Sequence, residues 1–266
     1  MRNLLLSGGP GHDFERTSAE LVRILDAGYS SQAPGLAESS AESPGENTDT
    51  EVSTHLVEQP AAFFELLRLS LVGEIEPWDL ITVNALRWKM QADRYAELRN
   101  EWAYSLQHED IELVHEFVTQ GGGLLALHTA VICFDAHPVW KQLTGASWNW
   151  SASSHPPVGE FEVTITAAGA QHPVTAQAQN FLLADELYGF LDQVPGLTPL
   201  LTAPYLGVDQ PLLWTQSVGR GRVVTDLLGH SVESLSNATH QDLITRAAFW
   251  AARDPQRVHH EQVRSA

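Results

Sequence analysis

Short apolar runs that end in glycine or a polar residue, separated by stretches of helical periodicity, constrain this chain more than any other feature. Leu4 to Ser7 reads as a buried first strand running into Gly8 and Gly9, and Leu124-Leu125-Ala126-Leu127 after three glycines reads as another. Asp79 to Val83 is a third run of the same kind. A run that is apolar throughout suits a strand covered on both faces, as in a parallel sheet, whereas a strand with one wet face alternates. Between these runs, Thr17 to Ala27 sets Leu21, Ile24 and Leu25 on one helical face, with Gly28 expected as the stop. Ala61 to Leu71 reads as a second helix, and Ile111, Val114, Phe117 and Val118 share one face of a third over His108 to Gln120. Glu51 to Val57 leaves room for a further strand. The second half changes character: Phe161 to Thr166, Leu212 to Thr215 and Arg222 to Asp226 read as alternating, antiparallel strands before a last helix from about Thr239 to Arg253. The expected fold is α/β, an open and mainly parallel sheet with helices on both faces, right-handed crossovers and antiparallel strands in the second half. We find no internal repeat and expect one domain over residues 1–254, followed by a tail, 255–266.

Residues 31–60 interrupt this pattern. They hold Glu38, Glu42, Glu46, Asp49, Glu51 and Glu58 and no Lys or Arg, six of the eighteen net negative charges of the 266-residue chain. Their centre, about residues 30–50, has too little apolar surface to offset chain entropy and is expected to be a mobile acidic insertion with no part in function. The negative charge argues against nucleic acid and anionic membrane surfaces as partners. No stretch approaches the roughly 20 apolar residues that cross a bilayer, and the first apolar run is too short for a signal-peptide core. The single cysteine, Cys133, excludes an internal disulfide framework and a cysteine-rich zinc site, and its apolar neighbours mark it as a buried hydrophobe. A cytoplasmic location is expected.

In an open α/β sheet, ligands bind beyond the carboxyl ends of the strands, so the polar residues just past each apolar run are the candidates. The first run ends in Ser7-Gly8-Gly9-Pro10-Gly11-His12-Asp13, where Gly9 and Gly11 let backbone N–H groups approach a ligand and His12 follows; it is neither a Walker loop nor a dinucleotide fingerprint. Asn84, Arg87 and Trp88 at the next tip suit a polyhydroxylated ligand, an amide and a guanidinium for hydroxyls and an indole for a sugar's C–H face. Equally, Arg87 could pair with a surface carboxylate and Trp88 pack under a loop. His128 stands at the tip of a central strand, and His155, Asp185-Glu186-Leu187-Tyr188 and Gly229-His230 lie at the ends of later elements. His12, His128, His155 and His230 with Glu186 would suffice for a divalent metal such as zinc, but no H-E-x-x-H or similar spacing marks a site, and the metal assignment stays open. His137, His172, His259 and His260 are given no role. Trp140, Trp148 and Trp150 fall in one short stretch and could line a sugar site, form a homodimer contact or pack in the core.

Taken in order, Ser7 to Asp13, Asn84 to Trp88, Gly121 to Ala130, Asp185 to Tyr188 and Gly219 to His230 resemble the ThuA-like (trehalose utilisation) family over nearly the whole chain apart from the acidic insertion. The resemblance implies a class I glutamine amidotransferase-like fold, a flavodoxin-like three-layer sandwich. It does not imply glutaminase activity, because the nucleophile elbow of those enzymes is replaced here by Ala126-Leu127-His128-Thr129-Ala130, with no thiol to form a thioester. No G-x-S-x-G motif stands in for it. The family name implies sugar metabolism in bacterial operons that oxidise and break disaccharides. The mechanism that fits is acid–base work on an oxidised, 3-keto sugar: the ketone acidifies the neighbouring C–H, His128 removes that proton, and Glu186 or His230 is the acid or orienting partner. Gly9, Gly11, His12, Asn84, Arg87, Trp88, His155 and Tyr188 are then expected to bind substrate, with donors or a divalent metal holding the enolate. Two other readings remain, a non-catalytic sugar-binding or regulatory module and a metal-dependent glycoside hydrolase.

Overall fold

Each continuous apolar run becomes an interior strand. In the computed structural model, which describes residues 1–30 and 52–252, β1 (Arg2–Gly8), α1 (Phe14–Ser30), β2 (Ser53–Val57), α2 (Pro60–Leu71) and β3 (Leu80–Ala85) come first. There follow α3 (Arg99–Trp102), α4 (His108–Gln120), β4 (Gly123–Leu127), 3-10 turns over His128–Ala136, and α5 (Pro138–Thr144). The remainder comprises β5 (Ala146–Ser147), β6 (Gly159–Ile165), β7 (Phe181–Asp185), β8 (Asp192–Gln193), β9 (Pro199–Tyr205), β10 (Val208–Val218), β11 (Gly221–Asp226), α6 (Val232–Leu235) and α7 (Ala238–Ala252). The expected acidic insertion, Ser30 apart, and the expected tail at 255–266 lie outside the described residues.

The main sheet has the order β2-β1-β3-β4-β11-β10-β9-β6-β7. β2, β1, β3, β4 and β11 are parallel, and from β11 outward each strand is antiparallel to its neighbour. Two reversals return β9 to the direction of the parallel group and four return β7, so β1, β3, β4, β11 and β7 all send their carboxyl ends the same way. β5 and β8 form a separate two-stranded ribbon.

Side-chain alternation divides the core between the two faces. Leu4, Leu6, Leu124 and Ala126 pack with Phe63, Leu67, Val114 and Phe117 of α2 and α4. Leu5, Leu125 and Leu127 pack on the opposite face with Leu21, Leu25, Leu243 and Ala247 of α1 and α7. Burial of both sets is what makes these strands apolar throughout, and it produces the expected three layers. α4 keeps the bounds read from its periodicity, capped by Gln107 and Asp110 in a reciprocal box and ended at Gly121. Cys133 is fully buried, as expected. Among the described residues no helix is long and apolar enough to cross a membrane.

Two local expectations fail. Arg222 to Asp226, expected among the alternating antiparallel strands, is β11, buried at all but one position and parallel to β4 while antiparallel to β10. Gly28 does not stop α1, which runs on to Ser30; a Cβ on Gly28 would lie 2.3 Å from Cγ2 of Thr245. The glycine serves the close approach of α1 to α7 rather than a C-terminal turn.

Candidate metal centre at the carboxyl edge of the sheet

Four side chains converge where the strands of like direction end. His128 is the first residue beyond β4 and is 2% exposed, with a positive φ of 42°. Its Nδ1 lies 2.7 Å from the carbonyl of Leu227. A carbonyl only accepts, so Nδ1 carries a hydrogen and Nε2 is the nitrogen that faces the cluster, the orientation that second-shell carbonyls impose on metal-binding imidazoles. His12 arrives on the glycine loop beyond β1. At Gly9, with φ of 155°, a Cβ would lie 2.6 Å from the carbonyl oxygen of Leu86, so this loop presses against the backbone that follows β3; at Gly11, with φ of 79°, the space is open.

His230 follows β11 and is placed by its backbone. The buried carboxylate of Asp185 accepts the Gly229 N–H at 2.8 Å, the His230 N–H at 3.1 Å and the Ser234 hydroxyl at 2.5 Å. Glu186 is the next residue after Asp185. Its Oε2 lies 3.4 Å from Nε2 of His128, 3.4 Å from Nδ1 of His230 and 3.7 Å from Nε2 of His12. Its Oε1 is 2.9 Å from Nδ1 of His155. One ligand-capable atom from each of His12, His128, His230 and Glu186 falls within 4.8 Å of the others.

The electrostatics follow from burial. His128 Nε2, His230 Nδ1 and both ring nitrogens of His12 are buried without a hydrogen bond. Burial alone would raise the pKa of Glu186, but the imidazoles of His12, His128 and His230 outweigh it and hold the carboxyl far below the ordinary range, so Glu186 is ionised. Burial lowers the pKa of His12, and Glu186 raises that of His230. Tyr188 is buried and stacks on His128 with ring centroids 4.5 Å apart; desolvation, then the charge of Glu186, push its phenol well above the usual value.

The remaining expected site residues make their contacts elsewhere. Asn84 donates to Thr17 Oγ1 and Ser18 Oγ, joining β3 to α1 in the interior. Arg87 is 2% exposed, donates to the carbonyl of Glu58 at 2.7 Å and lies 4.6 Å over the Trp102 ring. Trp88 packs with Phe14, Leu86 and Met90 and meets the rings of Tyr95 and Trp150, not the four clustered side chains. Proximity to a strand tip brought these three into consideration, and it does not specify which way a side chain points. Asp185 opens the segment singled out in the sequence but was given no role of its own, and it positions the loop of His230.

A mainly parallel sheet covered on both faces, with three imidazoles and a carboxylate gathered at its carboxyl edge, defines the class: a flavodoxin-like α/β protein. The chain belongs to the ThuA family, whose description is trehalose utilisation and whose model matches residues 97–251. Among solved structures it is similar to a ThuA-like protein of Parabacteroides merdae, at 18% identity and a TM-score of 0.67, covering 95% of this chain and 90% of that one. It is also similar to a cytoplasmic protein of Salmonella typhimurium, at 12% identity and a TM-score of 0.59 over 94% and 99% of the two chains. A third likeness is to a β-galactosidase of Rahnella sp., at 11% identity and a TM-score of 0.56, where 95% of this chain matches 31% of that one. At these identities the likeness is one of fold. No curated protein matches the chain.

Proposed function

We propose that His12, His128, His230 and Glu186 hold one divalent cation and that the protein performs acid–base chemistry on an oxidised disaccharide. The observation that carries this is the convergence of three imidazoles, their inward nitrogens buried without a hydrogen bond, on the one carboxylate of Glu186. An unsatisfied buried polar group costs about 1–3 kcal/mol, and a cation would turn these groups into ligands. Three nitrogens and an oxygen without a thiolate suit a first-row ion such as zinc or manganese. Such an ion supplies polarisation of a sugar ketone and of the enolate derived from it. The sugar itself is suggested by the family's link to trehalose utilisation.

In this reading His128 holds the cation, because its Nδ1 is committed to Leu227 and its Nε2 faces Glu186. Proton removal passes from His128 to His155, whose side chain is 42% exposed and whose Nδ1 meets Glu186. An imidazole that donates through Nδ1 keeps on Nε2 the lone pair that a general base needs. With a ketone at C3, His155 takes the proton from C2 and the electron pair enters the enolate. The pair then returns to form the C1–C2 double bond as the glycosidic oxygen leaves C1, and that oxygen takes the proton back from His155.

The test is metal content and turnover of trehalose oxidised at C3 of one ring, measured on the wild type, His128→Ala and His155→Ala. The wild type and His155→Ala should hold one cation per chain and His128→Ala far less, while both variants lose turnover. Undiminished turnover in His128→Ala, or after chelation, would overturn the proposal. Binding without turnover by the wild type would make the protein a sugar-binding module, and cleavage of unoxidised trehalose would make it a metal-dependent glycoside hydrolase.

A further inference from the structure

An aromatic path leads from the cluster to the surface. Tyr188, stacked on His128, meets Trp148 with centroids 5.1 Å apart, and Trp148 meets Trp150 at 6.2 Å. Trp150 rests against Trp88 at 6.0 Å and Tyr95 at 6.3 Å. It ends the path with 52% of its surface exposed.

Trp150 is nonetheless held in place. In its loop the Trp148 N–H donates to the Val131 carbonyl at 2.9 Å, and the Ser153 N–H to the Asn149 carbonyl at 2.8 Å. The Asn149 N–H donates to Ser153 Oγ at 2.9 Å, and that hydroxyl donates to the carbonyl of Phe190, two residues past Tyr188. The loop is thereby tied to the segment that carries Tyr188. The Arg94 guanidinium lies 4.7 Å from the Tyr95 ring and 5.6 Å from that of Trp150. An indole already ordered, yet left in water, loses little further freedom when a ligand covers it. Its face suits the C–H surface of a pyranose, and the neighbouring guanidinium can donate to hydroxyls.

We propose that Trp150, backed by Trp88 and Tyr95 and flanked by Trp148 and Arg94, is a second subsite that stacks the sugar ring attached to the one at the cluster. The substrate class is then a two-ring sugar rather than a monosaccharide. The proposal rests on the reading of the cluster as a sugar site. Trp140, the remaining tryptophan of this stretch, is fully buried and belongs to the core.

The experiment is calorimetric titration of the metal-loaded, full-length protein with three probes: trehalose, trehalose oxidised at C3 of one ring, and glucose oxidised at C3. Trp150→Ala should weaken both two-ring probes about tenfold, the scale of one aromatic stack, and change the one-ring probe less than about twofold. Trp150→Phe, which keeps an aromatic face, should recover most of the loss. Equal weakening of the one-ring probe, no weakening of the two-ring probes, or no binding of any two-ring probe by the wild type overturns the subsite. If the wild type fails to turn over the oxidised disaccharide while two-ring binding still depends on Trp150, the acid–base reading falls and the subsite stands. Normal turnover with Trp150-independent binding removes the subsite and leaves the acid–base reading standing.

Discussion

His128 Nε2 lies 3.4 Å from Glu186 Oε2, although β11, β10, β9 and β6 all stand between β4 and β7 in the sheet. A flat sheet would keep these residues well apart, since neighbouring strands sit about 4.8 Å from one another. The hairpin of β6 and β7 pairs with β9 only at its far end, through Thr164↔Thr202 and Ile165↔Leu201 and through Thr166 just beyond, whose N–H and hydroxyl donate to the carbonyls of Leu200 and Pro199. The end of β7 is instead tied to the loop beyond β11 by Asp185, which accepts from Gly229, His230 and Ser234. Asp185 is not among the four side chains of the cluster, yet it sets the spacing of Glu186 and His230.

Asp185→Asn replaces one of the accepting oxygens by a donor that faces other donors. The variant should lose about 1–3 kcal/mol of stability and bind the cation about 10–100-fold more weakly, the usual result of disturbing an outer-shell partner. Equilibrium denaturation and competition with a chelating dye measure the two effects. Lost stability with unchanged cation affinity would restrict Asp185 to a folding role.

Gly9 and Gly11 both precede His12, and they should respond differently to alanine. At Gly11 only the dihedral opposes a side chain, a cost of about 1–2 kcal/mol. At Gly9 a Cβ would also meet the Leu86 carbonyl oxygen at 2.6 Å, which is backbone and cannot swing aside. Gly9→Ala should therefore shift the loop and reduce cation binding well beyond Gly11→Ala. Parallel metal titrations of the two variants decide it, and equal losses would remove the steric part of the explanation.

The parallel half of the fold was legible because burial on both faces leaves a signature in the residues themselves, as in Leu4 to Ser7 and Leu124 to Leu127. β7 and β9 were not. Phe181–Asp185 is half exposed and short, and Pro199–Tyr205 carries two prolines, which a sequence reading takes for a boundary. The cluster was legible one residue at a time, since His12, His128 and His230 each follow a strand that shows in the residues and Glu186 lies in the Asp185 to Tyr188 segment of the family resemblance. What was not legible is their convergence, because the return of β7 depends on Asp185 bonding a loop 44 residues away. The same limit explains Asn84, whose amide turns inward to Thr17 and Ser18.

Gly28 carries a prediction about packing. A Cβ there would meet Thr245 Cγ2 at 2.3 Å and Oγ1 at 2.8 Å, so Gly28→Ala should push α1 from α7 and destabilise the protein by about 1–3 kcal/mol, the range for overpacking. In a Thr245→Ala background the nearest atoms are gone, and the same substitution should cost clearly less. A double-mutant cycle by denaturation gives the coupling. Additive losses would show that the two helices do not clash through this pair.

His240 and Asp226, both fully buried, face each other at 3.1 Å. Burial disfavours the charged imidazole, but the carboxylate of Asp226, aided by Asp185, outweighs it and raises the pKa of His240 above 6.5. A raised folded pKa means that the native state holds the proton more tightly than the unfolded chain. The resulting stability is complete below the unfolded value and fades as pH rises through the folded one. In Asp226→Asn burial acts without its main opponent, the pKa of His240 falls, and the stability that fades toward alkali in the wild type is diminished or lost. Melting temperatures of the two proteins from mildly acidic to mildly alkaline pH should therefore differ in slope, the wild type declining toward alkali relative to the variant. Parallel profiles would mean that this buried pair does not set the pH dependence. The asparagine oxygen can still accept the Leu228 N–H that Asp226 Oδ1 accepts at 3.0 Å, so a change of slope would report the lost charge rather than a lost turn.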